Sequence, residues 1–106
     1  MAKRWTEADF DTEVLNSDKL AIVDFYSDSC LPCKAISPLL AELEESYAGQ
    51  VLVGKVNAVY ERGLVFHWEV ASVPTILFLK NGKEVARFSG VQRKDDLVRE
   101  IENNIS

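Results

Sequence analysis

The chain has 106 residues, 47% of them hydrophobic, and a formal net charge of -5 at pH 7. That is the size of one compact domain with enough apolar material for its own core, and the acidic balance excludes a nucleic-acid backbone as the main partner, which would need clustered Lys and Arg. Its 2 cysteines are too few for a disulfide-dense secreted scaffold, and no span is apolar over the length needed to cross a bilayer.

The first residues, Met1-Ala2-Lys3-Arg4-Trp5-Thr6-Glu7, turn acidic without an apolar stretch of the secretory kind. With a start at Met1, cytoplasmic residence is expected, where thiols are kept reduced. Thr6 followed by Asp9 resembles a capping box, and Phe10 and Val14 fall on one face, so Glu7 to Leu15 is expected to be a short helix. Asn16-Ser17-Asp18 ends it. Leu20 to Tyr26 is nearly all apolar, the pattern of a strand buried on both faces, and Asp24 is the one residue that breaks it.

Cys30-Leu31-Pro32-Cys33 follows, at the point where the strand pattern gives way to a helical one. Ile36, Leu39, Leu40, Leu43 and Tyr47 trace one stripe of that helix, with Glu42, Glu44 and Glu45 on the wetter side. Pro38 predicts a kink inside it, and Gly49 closes it. Val51 to Val56 reads as a strand with Lys55 as its charged member, and Glu61 to Trp68 as a weak helix. Thr75 to Leu79 is a strong strand, Lys80-Asn81-Gly82-Lys83 a hairpin turn, and Val85 to Phe88 the returning strand. Asp95 and Asp96 open a last helix whose Leu97, Val98, Ile101 and Ile105 face the core. A parallel crossover in front and a hairpin behind give an α/β domain with a mixed central sheet and helices on both faces, a single unit over residues 1–106.

In open α/β sheets functional groups gather at the carboxyl ends of strands, which is where the cysteine motif stands. Cys30 is first at a helix end, whose field favours thiolate, and is the natural attacker of a target disulfide. Cys33, a turn further in, resolves the mixed disulfide. In such motifs the nucleophile titrates near about 7 instead of about 8.5. The bland readings carry less. Zinc wants about four ligands and only His67 is left over, and a purely structural ring this small constrains the unfolded chain little. Burial of Asp24 in a strand should raise its pKa, so that it holds a proton near neutrality and serves Cys33 as acid or base, with Lys55 as a supporting partner. The alternatives are a structural Asp24–Lys55 pair, or a Lys55 that reaches out to solvent. Val73-Pro74-Thr75 fits a proline at the first strand position, or a cis proline shaping a surface beside the dithiol. His67 reads as a surface or boundary residue and Trp5 as a packing residue, while Trp68 reads as core packing, with a place in the docking surface before Val73-Pro74 as the alternative.

Taken together, Phe10-Asp11-Thr12-Glu13-Val14-Leu15, Val23-Asp24-Phe25, Cys30-Leu31-Pro32-Cys33-Lys34, Pro38, Lys55-Val56-Asn57, Ser72-Val73-Pro74-Thr75, Lys80-Asn81-Gly82 and Ser89-Gly90 resemble the thioredoxin family over nearly the whole chain. The resemblance implies the thioredoxin fold, a mixed five-stranded sheet flanked by four helices. It implies a cis bond before Pro74, with the Val73 backbone pairing to extended substrate segments. Cys30 would be the exposed nucleophile, Cys33 the buried resolver and Asp24 the proton-transfer group, with Lys55 in support. Leu31, Pro32, Val73, Pro74 and Gly90 would form the substrate-binding surface. It implies protein disulfides as substrates, no metal or bound organic cofactor, a monomer without nucleic-acid or membrane partners, and recharging by a flavin- and NADPH-dependent thioredoxin reductase. This chain departs from the family's usual Trp-Cys-Gly-Pro-Cys in carrying Ser29 and Leu31, has Tyr26 where a tryptophan is usual, and lacks an acidic residue in Asn57-Ala58-Val59-Tyr60. The alternatives are the same fold poised as an oxidase, isomerase or dedicated relay, a non-catalytic binding module, and metal or iron–sulfur binding by a dimer.

Overall fold

The structure is a computed structural model that describes residues 3–105. Met1, Ala2 and Ser106, the ends of the expected 1–106 unit, lie outside the described residues. Among the described residues the sheet has five strands in the order β1-β3-β2-β4-β5. These are β1 (Lys3–Arg4), β2 (Leu20–Tyr26), β3 (Val51–Asn57), β4 (Thr75–Lys80) and β5 (Lys83–Ser89). β1 and β2 run parallel to β3, while β4 runs antiparallel to β2 and to β5. The helices are a π-helix (Asp11–Leu15), α1 (Leu31–Ser46), α2 (Arg62–His67) and α3 (Lys94–Ile105). The mixed five-stranded sheet and its four helices are thus as the resemblance implied.

Strand alternation divides the core between the two faces of the sheet. Ala21, Val23 and Phe25 pack with Trp5, Phe10, Val14 and Leu64 on one face. Leu20 and Ile22 pack with Ile36, Leu40 and Leu43 of α1 and Leu97 and Ile101 of α3 on the other. Because Asp24 shares parity with Leu20 and Ile22, its carboxyl faces the α1 side. All seven residues of β2 are buried, which explains the unbroken apolar run.

One expectation is corrected. The first helix is not a regular helix from Glu7. The chain turns through Phe10 N–H to Thr6 O and Glu13 N–H to Asp9 O, then widens to a π-helix over Asp11–Leu15, with Asn16 N–H on Asp11 O at 3.1 Å. Half of the expected capping box forms: the Asp9 carboxylate accepts the Thr6 N–H at 2.7 Å. β1 pairs Lys3 with Gly54 and Arg4 with Lys55, and supplies the fifth strand that the resemblance implied. α1 runs through Pro38 as one helix. Asn81 (φ 54°) and Gly82 (φ 78°) both take positive φ between the paired Lys80 and Lys83, the two-residue turn that matches strand twist.

Candidate active site

β2 ends at Tyr26, and a short turn, with Cys30 N–H on Ser27 O at 3.3 Å, delivers Cys30 to the N-cap of α1. Pro32 at the start of the helix suits a position whose N–H has no partner inside the helix. Cys30 and Cys33 are joined as a disulfide with Cα atoms 5.3 Å apart, and the Cys33 N–H reaches Cys30 Sγ at 3.2 Å. When the bond is reduced, that donor and the helix end both favour a thiolate on Cys30. Cys33 is 4% exposed, whereas Cys30 is half-buried. Leu31 between them is 73% exposed and Pro32 is exposed as well.

Three further connections meet at this end of the sheet. Thr75, which pairs with Phe25 near the end of β2, follows a cis Val73–Pro74 bond. Gly90 follows Ser89, the partner of Thr75, and its N–H is bonded to Pro74 O at 2.9 Å. Asn57 ends β3, and its side-chain oxygen accepts the N–H groups of Val59 and Tyr60. Gly90 has φ 83° and open space where a Cβ would stand, so its backbone angle is what calls for glycine. A cavity of about 260 Å³ beside Val73 reaches across Ala58 to Ser27.

Beneath Cys33 lies a second cavity of about 160 Å³, lined by Asp24, Tyr26, Cys33, Ser37 and Lys55, with Asp28 and Lys34 also against it. Asp24 is 4% exposed and its Oδ1 has no hydrogen-bond partner. Burial pushes its carboxyl up from 3.8 to about 6, against the pull of Lys55, its register partner on β3. The Lys55 ammonium stands 5.1 Å from the centre of the Tyr26 ring, on the same cavity. Asp24, Cys33 and Lys55 are therefore brought together, and Cys30, Leu31, Pro32, Val73, Pro74 and Gly90 stand at the same sheet end.

A cavity of about 860 Å³ runs along α2 and touches none of these residues. His67 is exposed, edge-on to Trp68 at 4.9 Å, and Trp68 is half-buried against the core. Sequence reasoning missed Arg87, whose guanidinium donates to Trp68 O at 2.6 Å and Glu69 O at 3.0 Å and is held by Glu84, tying β5 to the segment that leads to Val73. A lone Arg on an edge strand gives no such signal. Among the described residues no group of three His, Cys, Asp or Glu could hold a metal ion, and no helix is long and apolar enough to cross a membrane.

A dithiol at a helix N-terminus, at the carboxyl end of a buried strand and above a buried carboxyl, defines a thiol–disulfide oxidoreductase. The comparisons agree. The Thioredoxin family model matches residues 1–103. A thioredoxin of Haemophilus influenzae is 38% identical over 99 residues, covering 93% of this chain and 92% of its own. A thioredoxin of Rickettsia felis is 34% identical over 105 residues, 99% of this chain and 100% of that one. Thioredoxin 2 of Chlorobaculum tepidum is 33% identical over 100 residues, 94% and 92% respectively. The chain belongs to the thioredoxin family.

Proposed function

We propose that this oxidoreductase works in the reducing direction on protein disulfides, as a single domain over residues 1–106. Cys30 attacks the target disulfide. Cys33 then displaces the reduced target from the mixed disulfide, and Asp24, supported by Lys55, accepts the Cys33 proton. Leu31, Pro32, Val73, Pro74 and Gly90 form the surface on which an extended target segment lies. The observation that carries this reading is the difference in access between the two sulfurs: Cys30 half-buried at the helix end, Cys33 buried over the cavity that also holds Asp24. A thiolate needs access to attack another protein, and a resolving thiol needs only its neighbour. The protein acts as a monomer in the cytoplasm, without metal or bound organic cofactor, and is recharged by a flavin- and NADPH-dependent reductase.

Two measurements test this. Insulin disulfide reduction should be present in the native protein and lost in Cys30→Ser. The reduction potential of the pair should lie near the roughly -270 mV of thioredoxin. A potential near or above the roughly -180 mV of protein disulfide isomerase would overturn the reducing role. Leu31, 73% exposed beside the attacking sulfur, favours a second reading in which the site serves one dedicated partner with a matching apolar surface. Full reducing potential with insulin activity that rises on Leu31→Gly would select it.

A further inference from the structure

Two residues on the Asp24 cavity each carry a buried polar atom without a partner: Oδ1 of Asp24, and the hydroxyl of Tyr26, a residue that is 8% exposed. Burying such groups unpaired is unfavourable, because each loses its hydrogen bonds to water without a replacement. They are neighbours. Asp24 and Tyr26 stand two apart on β2, so they share a face of the sheet. Both line the cavity of about 160 Å³ that also reaches Cys33. A polar cavity of this size accommodates several waters, each needing two or more polar partners.

We propose that the Tyr26 hydroxyl is a positioning group for the resolving step: it anchors the water that connects the Asp24 carboxyl with the Cys33 thiol. The inference deepens the proposed role of Asp24 and rests on it. As a donor the hydroxyl stabilises the Asp24 carboxylate through that water, the form able to take the Cys33 proton. Its ring meanwhile lies under the Lys55 ammonium. The other titratable or charged groups on the cavity are Lys55 of β3, Cys33 and Lys34 of α1, and Asp28 of the intervening turn. β4 contributes only the apolar Ile76 opposite Asp24.

The test is Tyr26→Phe, which removes the hydroxyl and keeps the ring under Lys55. The reduced protein is mixed with excess of the aryl disulfide DTNB. The Cys30 thiolate attacks, releasing one aryl thiolate and leaving an aryl mixed disulfide. Cys33 gives its proton through water to Asp24, its sulfur bonds to Cys30 Sγ, and the second aryl thiolate leaves. The second release is followed by stopped flow across pH. In Tyr26→Phe the rising limb should move to higher pH, making release about three- to eightfold slower near pH 5.5 and converging with the native rate near pH 8. Superimposed profiles would overturn the proposal, and so would a slowing uniform across pH, which a merely structural role predicts. Asp24→Asn separates the two readings. It should lose the limb outright. If it keeps the limb, the Asp24 role itself fails, and this inference with it. If it loses the limb while Tyr26→Phe matches the native protein, only the Tyr26 inference fails.

Discussion

A carboxyl inside a buried strand works against the fold that contains it. Asp24 sits at about 6 because desolvation penalises its charge more than Lys55 relieves it. The sign follows. Its folded value lies above its unfolded 3.8, so the folded state binds the extra proton between them, and stability is lost as pH rises through that window. The contribution of Asp24 is fully present below about pH 3.8, and above about 6 its loss levels off at about 3 kcal/mol. Asp24→Asn carries no ionisable group, so its stability relative to the native protein should grow between pH 4 and pH 8 by about that amount. Urea unfolding at the two pH values measures it, and a difference that does not change with pH would place the cost elsewhere. Lys55→Met should move the Asp24 titration further up, since Lys55 is what lowers it. A carboxyl-selective NMR titration reads this directly. At this scale the sequence was informative because Asp24 stood alone in an apolar run. Tyr26 gave no such sign, since a tyrosine at a strand end is ordinary until its hydroxyl is found buried without a partner.

The legible elements were those with a strong local period or turn chemistry. β2, β4 and the Asn81-Gly82 hairpin announced themselves by apolar runs and by residues that tolerate positive φ. β1 did not, because two residues of charged sequence carry no period and the strand exists only through its pairing with Gly54 and Lys55 on β3. The π-helix at Asp11–Leu15 was hidden for a related reason. Phe10 and Val14 are both buried as their spacing required, with Phe10 against Trp5 and Trp68, but a spacing of four fits a turn closed at four residues or at five. Trp5 also explains Gly54, whose hypothetical Cβ would lie 2.6 Å from the indole ring. The ring belongs to the core and has little freedom to yield. Gly54→Ala should therefore destabilise by about 1–3 kcal/mol through overpacking. For a chain of this size each kcal/mol corresponds to about 4–8 °C, so thermal unfolding resolves the effect. An unchanged midpoint would mean that β1 and its tryptophan shift cheaply, and that the edge strand is held only loosely to β3.

The molecule as a whole separates what holds it together from what it does. Its two core clusters lie on opposite faces of the sheet, and of the two cysteines neither belongs to them. Cys30, Pro74 and Gly90 stand together at one end, where β2, the start of β4 and the end of β5 meet. A redox carrier needs this separation, because a fold that depended on its disulfide would come apart each time it delivered electrons. The Cys30–Cys33 bond closes a ring with a sequence separation of 3, and loop-closure entropy assigns so short a ring at most about 2 kcal/mol. Reduction should then leave the sheet, the helices and the cooperative transition intact, lowering stability by no more than about that amount. Urea unfolding of the oxidised and reduced protein compares the two states, with the slope of the transition reporting the surface exposed. Equal slopes and a small displacement of the midpoint are expected. A collapse of the slope on reduction would mean that the disulfide organises the α1 face, and the dithiol would have to be read as a structural clasp.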